Sequence, residues 1–153
     1  MGKKGEVALK TFESGCNCSQ AVLLAFAPEC GLDRETALRL ASSFGGGFGR
    51  MRELCGAVSG GGMVLGMLCG YTDTTDDEEK QRHYRRIQAL CQRFQEAQGH
   101  LRCGELLDKL AGEPGPVPGA RTPEYYAVRP CSRLVKCAAD LVEQLLAEEA
   151  SAG

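Results

Sequence analysis

Nine cysteines stand in the 153 residues, at positions 16, 18, 30, 55, 69, 91, 103, 131 and 137. A thiol can ligate a soft metal, hold an iron–sulfur cluster, exchange with a disulfide, or fill a core as a small apolar group. Position along the chain separates these uses. Cys18, Cys55, Cys103 and Cys131 each fall in the first turn of an expected helix. There, unpaired N–H groups and roughly half a positive charge favour a thiolate. Four such placements fit core filling less well than one would. If the four helix starts converge, they form a neutral-to-positive pocket for sulfur anions without recruiting Lys or Arg. The separations of 37, 48 and 28 residues contain no Cys-x-x-Cys knuckle of the ferredoxin or zinc-ribbon kind. Tertiary structure has to assemble the site.

The remaining reactive side chains read differently. Cys16-Asn17-Cys18 puts two sulfurs beside one helix start, which makes Cys16 a candidate extra ligand or resolving thiol. Cys91 shares a helical stripe with Tyr84, Ile87 and Phe94 and reads as core, while Cys30, Cys69 and Cys137 read as structural. His100, three residues before Cys103, reads as a loop histidine. Glu53 and Glu105 flank thiols, and a nearby carboxylate raises a thiol pKa; each is a proton partner or a helix-start charge. Arg50 and Arg52 are candidates to guide an anionic substrate or partner, though solvated surface is the first expectation for both, and Arg82, Arg85 and Arg86 are expected on an ion-paired helix face. Phe44–Arg50 is Gly-rich ahead of a helix, yet no strand precedes it and no Gly-Lys-Ser/Thr follows, which argues against a nucleotide loop.

The elements that position these residues are helical, since no segment sustains period-two alternation. Val7, Ala8, Leu9 and Phe12 mark a first helix. Asn17 caps a second along Cys18, Val22, Ala25 and Phe26, ended by Pro28 and Gly31. Asp33 caps a third, with Ala37, Leu40 and Ala41 inward. After the hinge Phe44–Gly49, Cys55 opens a helix carrying glycines at 56, 60, 61, 62 and 66, which would together cost about 4–5 kcal/mol relative to Ala. Gly56/Gly60 and Gly62/Gly66 lie four apart and give two smooth strips for close approach, or for a homodimer seam. Asp76–Glu79 opens the longest helix, to about Gln98, with a Glu78–Arg82 pair. A short helix from Cys103 to about Leu110 follows. Residues 112–130 read as a Pro-rich loop, and a last helix runs from Pro130 to about Glu148, with residues 149–153 frayed. The expectation is all-α: one compact domain over residues 1–153, six or seven helices around the Gly-rich one.

A formal charge of −2 and a pI near 5.7 give no electrostatic reason for a nucleic-acid partner. Neither a membrane span nor a signal-peptide core is evident, so a cytoplasmic location is expected, where an odd number of cysteines points away from a secreted disulfide framework.

The stretches Gly15–Val22, Phe44–Gly47, Cys55-Gly56-Ala57-Val58-Ser59-Gly60, Cys103–Leu106 and Cys131–Val135 resemble the small C-GCAxxG-C-C family of redox-active proteins. The resemblance spans roughly residues 5–147 and is strongest in the Cys-Gly-Ala-x-x-Gly core with its glycine hinge. It implies that the family's four cysteines fall on Cys18, Cys55, Cys103 and Cys131. A related cysteine module accompanies an iron–sulfur-type centre in split-Soret cytochromes, although no Cys-x-x-Cys-His is present here for a covalent haem. Three readings stay open. Cys18, Cys55, Cys103 and Cys131, with Cys16 as a possible fifth, hold an iron–sulfur cluster or other metal for electron transfer, cradled by the backbone of Gly46, Gly47 and Gly56. Alternatively the same four are redox-active thiols without a cofactor, or they belong to a metal-sensing or shuttling module. The partner is then a redox protein, a small thiol or a metal, and both an oxidoreductase and an electron carrier fit.

Overall fold

The computed structural model describes residues 3–108 and 115–152. Among them lie nine helical segments and no strand: α1 (Lys3–Glu13), α2 (Cys18–Ala25), α3 (Ala27–Cys30), α4 (Arg34–Ser42), α5 (Gly56–Cys69), α6 (Asp77–Gln98), α7 (Cys103–Leu107), α8 (Pro123–Val128) and α9 (Cys131–Ala152). The all-α expectation holds. The two segments beyond the seven helices enumerated from the sequence come from short helices. Pro28 sits inside the first turn of α3 rather than ending α2, and Gly31 closes α3 at φ +68°. Thr122-Pro123 starts α8 within the stretch expected to be loop, with the Thr122 side chain accepting from Tyr125 N.

The caps follow side-chain chemistry. Asn17 Oδ1 accepts from Gln20 N at 2.9 Å while Gln20 Oε1 accepts from Asn17 N at 3.0 Å, a reciprocal box that sets Cys18 as the first residue of α2. Asp33 caps α4 and Asp76 caps α6 by a single bond each, their carboxylates accepting from Thr36 N and Glu79 N. α7 is described only to Leu107, so the expected extension to Leu110 lies outside the described residues. α9 continues to Ala152, where fraying from residue 149 was expected.

α9 packs against α1, α2, α5 and α6, and α2 packs against α1, α4 and α5. The buried set includes Phe12, Val22, Leu23, Phe26, Val64, Leu65, Leu90, Phe94, Leu134, Val135 and Val142. Each such side chain contributes about 1.5–3 kcal/mol by leaving water. The inward face of α6 differs from the expected stripe: Tyr84 is exposed, Ile87 and Cys91 are half-buried, and His83, Arg86, Leu90 and Phe94 point inward. Arg86 explains the rotation. It donates to Cys69 O at 2.9 Å and pairs with Glu149, so a charged residue holds the inner face where an apolar count would not look for one. Leu40 on α4 is likewise exposed, and the pair near the start of α6 is Glu79–Arg82 at 3.2 Å rather than Glu78–Arg82.

The two glycine strips of α5 separate. A Cβ on Gly56 would lie 2.8 Å from Phe44 O, and one on Gly60 would lie 2.7 Å from Ser19 O, so α2 and the α4–α5 loop press directly on this strip. Gly62 and Gly66 have nothing within 4 Å of such a Cβ. The close-approach role belongs to the first strip alone.

Candidate functional site

The α4–α5 loop builds one wall of the site from backbone in an uncommon conformation. Gly46, Gly47, Phe48, Gly49, Arg50 and Arg52 all have φ between +57° and +72°. The run coils left-handed, closed by Gly49 N to Ser43 O (2.7 Å), Arg52 N to Gly46 O (3.1 Å) and Glu53 N to Gly47 O (2.9 Å). Three of the six are not glycine, and each pays about 1–2 kcal/mol for the left-handed region. The coil leads into a short antiparallel pairing with residues 101–104. Cys55 N donates to Leu101 O at 2.9 Å, Cys103 N to Glu53 O at 2.6 Å and Gly104 N to Arg52 O at 3.1 Å. Cys55 and Cys103, 48 residues apart in sequence, are thereby fixed side by side.

The packing of α2 on α5 brings in Cys18, and the start of α9 brings in Cys131. All four thiols line one small cavity of about 50 Å³, together with Asn17, the backbone of Gly46, Gly47 and Gly56, and Arg52, Arg121, Tyr125 and Arg129. Cys55, Cys103 and Cys131 are buried and Cys18 is half-buried. Every cysteine carries a free thiol. Cys16 does not line the cavity; its carbonyl accepts from Arg121 Nη2 at 3.0 Å. Cys30, Cys69, Cys91 and Cys137 lie elsewhere as well. Glu53 and Glu105 turn outward to Arg102 and His100, at 3.3 and 3.2 Å, and His100 is exposed.

The four thiols are electrostatically unequal. Cys18 and Cys131 share a hydrogen bond, and it shifts them in opposite directions. Donation from Cys18 holds the Cys131 thiol below its ordinary range, and the charges of Arg129, Arg121 and Arg52 add to this against the effect of burial. The same bond raises Cys18 well above its ordinary value, with burial second. Burial pushes Cys55 up to about 12, although the Ala57 and Val58 N–H groups at the start of α5 oppose it. Burial also raises Cys103, offset by Arg52, whose Nη1 donates to Cys103 Sγ over 3.6 Å. Of the four cavity thiols, Cys131 alone is lowered and the other three are raised.

Arginine is what the sequence reading missed. Arg52 is expected on the surface, yet it is only 6% exposed, and its Nε and Nη2 have no partner among the described residues. Arg121 stacks over Phe12 at 4.6 Å and Tyr125 at 5.0 Å, and Arg129 stacks over Tyr125 at 4.4 Å. The pocket is therefore made positive by side chains, not by helix ends alone. α7, with five residues, adds little dipole of its own. A sequence signal existed in Arg50 and Arg52 between the glycine hinge and Cys55, but nothing local marked which of them turns inward.

Among the described residues, no group of three or more His, Cys, Asp or Glu side chains stands at mutual distances that would hold a metal ion. No helix among them is long and apolar enough to cross a membrane. Neither a curated protein nor a solved structure matches the chain. The sequence model of one family, described as Putative redox-active protein (C_GCAxxG_C_C), matches residues 16–145 and takes in all four cavity cysteines, so the chain belongs to that family of redox-active proteins.

Proposed function

We propose that the protein carries out two-electron thiol–disulfide chemistry at this cavity, with Cys131 as the attacking thiolate and Cys18 as its partner. The observation that carries the reading is the cavity itself, where Cys18 and Cys131 stand together with Arg52, Arg121 and Arg129; the arginine charges favour the anion at Cys131, and burial favours the thiol at Cys18. The Cys131 thiolate attacks one sulfur of a substrate disulfide; the other sulfur leaves as a thiolate and takes up a proton. A mixed disulfide now joins Cys131 to the substrate. Cys18, no longer donating to an anion, loses its proton and attacks Cys131 Sγ, which releases the second substrate thiol and leaves a Cys18–Cys131 disulfide. The substrate gains two electrons, and a redox partner protein or small thiol restores the dithiol. Arg52, Arg121 and Arg129 stabilise Cys131 before attack. Burial favours the protonated form of Cys55 and Cys103, which leaves the negative charge to Cys131. A reducing, cytoplasm-like compartment suits such a couple.

The test is alkylation of the reduced protein with iodoacetamide, resolved by cysteine across pH. Cys131 reacts at lower pH than Cys18, Cys55 and Cys103. A profile in which Cys131 titrates with or above Cys18 overturns the assignment.

A second reading is favoured by the convergence of four thiols on one cavity. The donor set suits an iron–sulfur cluster: Cys18, Cys55, Cys103 and Cys131 would hold it, Gly46, Gly47 and Gly56 present backbone without Cβ, and the unpartnered Arg52 nitrogens suit its negative charge. Such a cluster supplies one-electron transfer. The thiols would have to turn inward to reach ligating distances. Stoichiometric iron and acid-labile sulfide in anaerobically prepared protein, with visible charge-transfer absorption, selects this reading; their absence selects the dithiol.

A further inference from the structure

A second cavity opens directly outside the thiol pocket and shares Asn17, Gly46, Arg52, Arg121, Tyr125 and Arg129 with it. This outer groove holds about 410 Å³, the size of a small-molecule site, and its far wall is Pro116, Pro118 and Gly119. Four arginines line it: Arg50, Arg52, Arg121 and Arg129. None of them pairs with a carboxylate among the described residues. In a chain of net charge −2 that concentration of unpaired cation is far from an average surface.

Arg52 is the telling member. It is 94% buried, since only 6% of it meets solvent, and among the described residues Nε and Nη2 both lack a partner. A buried guanidinium with unmet donors is costly unless something anionic meets it. Among the described residues, Arg129 stacks on Tyr125 and makes no hydrogen bond, which holds the guanidinium plane and leaves its N–H edge for a ligand. Arg50 anchors to the Gly115 carbonyl and Arg121 to the carbonyls of Phe12 and Cys16, so these two shape the groove while Arg52 and Arg129 keep donors to give. The fork geometry of arginine matches carboxylates in a bidentate manner.

We infer that the outer groove binds the carboxylate arms of a small dianionic disulfide, with Arg52 and Arg129 as its anchors, so that the sulfur–sulfur bond enters the cavity beside Cys131. The inference names the substrate class for the thiol reading above and rests on it. A neutral or cationic disulfide lacks the anchor and reaches Cys131 only by diffusion through the groove.

Binding is measured first by calorimetry with 3,3′-thiodipropionate, an unreactive thioether dianion, and its dimethyl ester. The dianion binds one per chain and weakens with added salt; Arg129→Gln lowers affinity at least tenfold, Arg129→Lys retains part of it, and the ester does not bind. Circular dichroism checks that each variant is folded. Absence of dianion binding, equal affinity for the ester, or an Arg129→Gln variant indistinguishable from the parent overturns the groove assignment. The reduced protein is then mixed with 3,3′-dithiodipropionate and with its diester. Faster oxidation by the dianion supports the inference, and equal rates overturn it. Dianion binding with no oxidation keeps the groove and overturns the thiol chemistry instead.

Discussion

Gly47→Ala is the sharpest test of why the loop before α5 is built from glycine. Gly47 sits at φ +72°, and a Cβ there would lie 2.7 Å from the Cys103 Cβ, 2.6 Å from Glu53 N and 2.9 Å from the Arg52 carbonyl carbon. All three are backbone or first side-chain atoms, so none can swing aside. The left-handed conformation costs an L-residue about 1–2 kcal/mol. Forcing atoms into a packed region adds about 1–3 kcal/mol. The loss is therefore roughly 2–5 kcal/mol, a large share of the stability of an ordinary domain. Gly62→Ala is the counterpart: its Cβ meets nothing within 4 Å and its φ is ordinary, so the change gains about 0.8–1 kcal/mol of helix propensity. Urea unfolding with an unchanged m-value measures both, and iodoacetamide labelling of Cys103 and Cys131 reports whether the cavity moved. Gly47→Ala lowers the midpoint and alters the labelling rates; Gly62→Ala raises the midpoint and leaves the rates alone. If Gly47→Ala falls within about 0.5 kcal/mol of the parent, the range of ordinary surface substitutions, the account of the loop as a steric clearance is wrong.

Two further predictions concern the thiols. Cys18→Ala removes the donor that holds Cys131 down, so Cys131 alkylation moves to higher pH and slows near neutrality, whereas an unmoved profile would leave the arginines as the sole cause. Cys55 titrates near about 12 when folded against an ordinary 9.0, so the unfolded chain loses that proton first as pH rises. Its contribution is intact below pH 9 and is lost between 9 and 12, at about 1.4 kcal/mol per pH unit. Cys55→Ala flattens the alkaline fall of stability by that slope, and an unchanged slope refutes the burial of this thiol.

The helix starts were legible because capping is local: Asn17 with Gln20, Asp33 and Asp76 each satisfy amide groups within three residues. Of the cavity cysteines only Cys18 follows such a cap; Cys55, Cys103 and Cys131 stand at helix starts without a capping side chain, marked in the sequence by the Gly hinge, Gly104 and Pro130 around them. The inner face of α6 was not, since Arg86 and His83 take buried positions that an apolar count skips. Arg52 was not legible either. Its burial depends on a left-handed coil and on pairing with residues 101–104, both set by contacts distant in sequence. Thr122-Pro123-Glu124 carries an ordinary helix-start signature, hidden by the prolines around it.

The proposed redox couple is Cys18 with Cys131. Reduced protein is oxidised with one equivalent of 3,3′-dithiodipropionate, remaining thiols are alkylated, and the digest is mapped by mass spectrometry. The expected product is a Cys18–Cys131 disulfide with Cys55 and Cys103 alkylated. A disulfide that joins Cys55 to Cys103, or oxidation that leaves Cys18 and Cys131 both free, contradicts it.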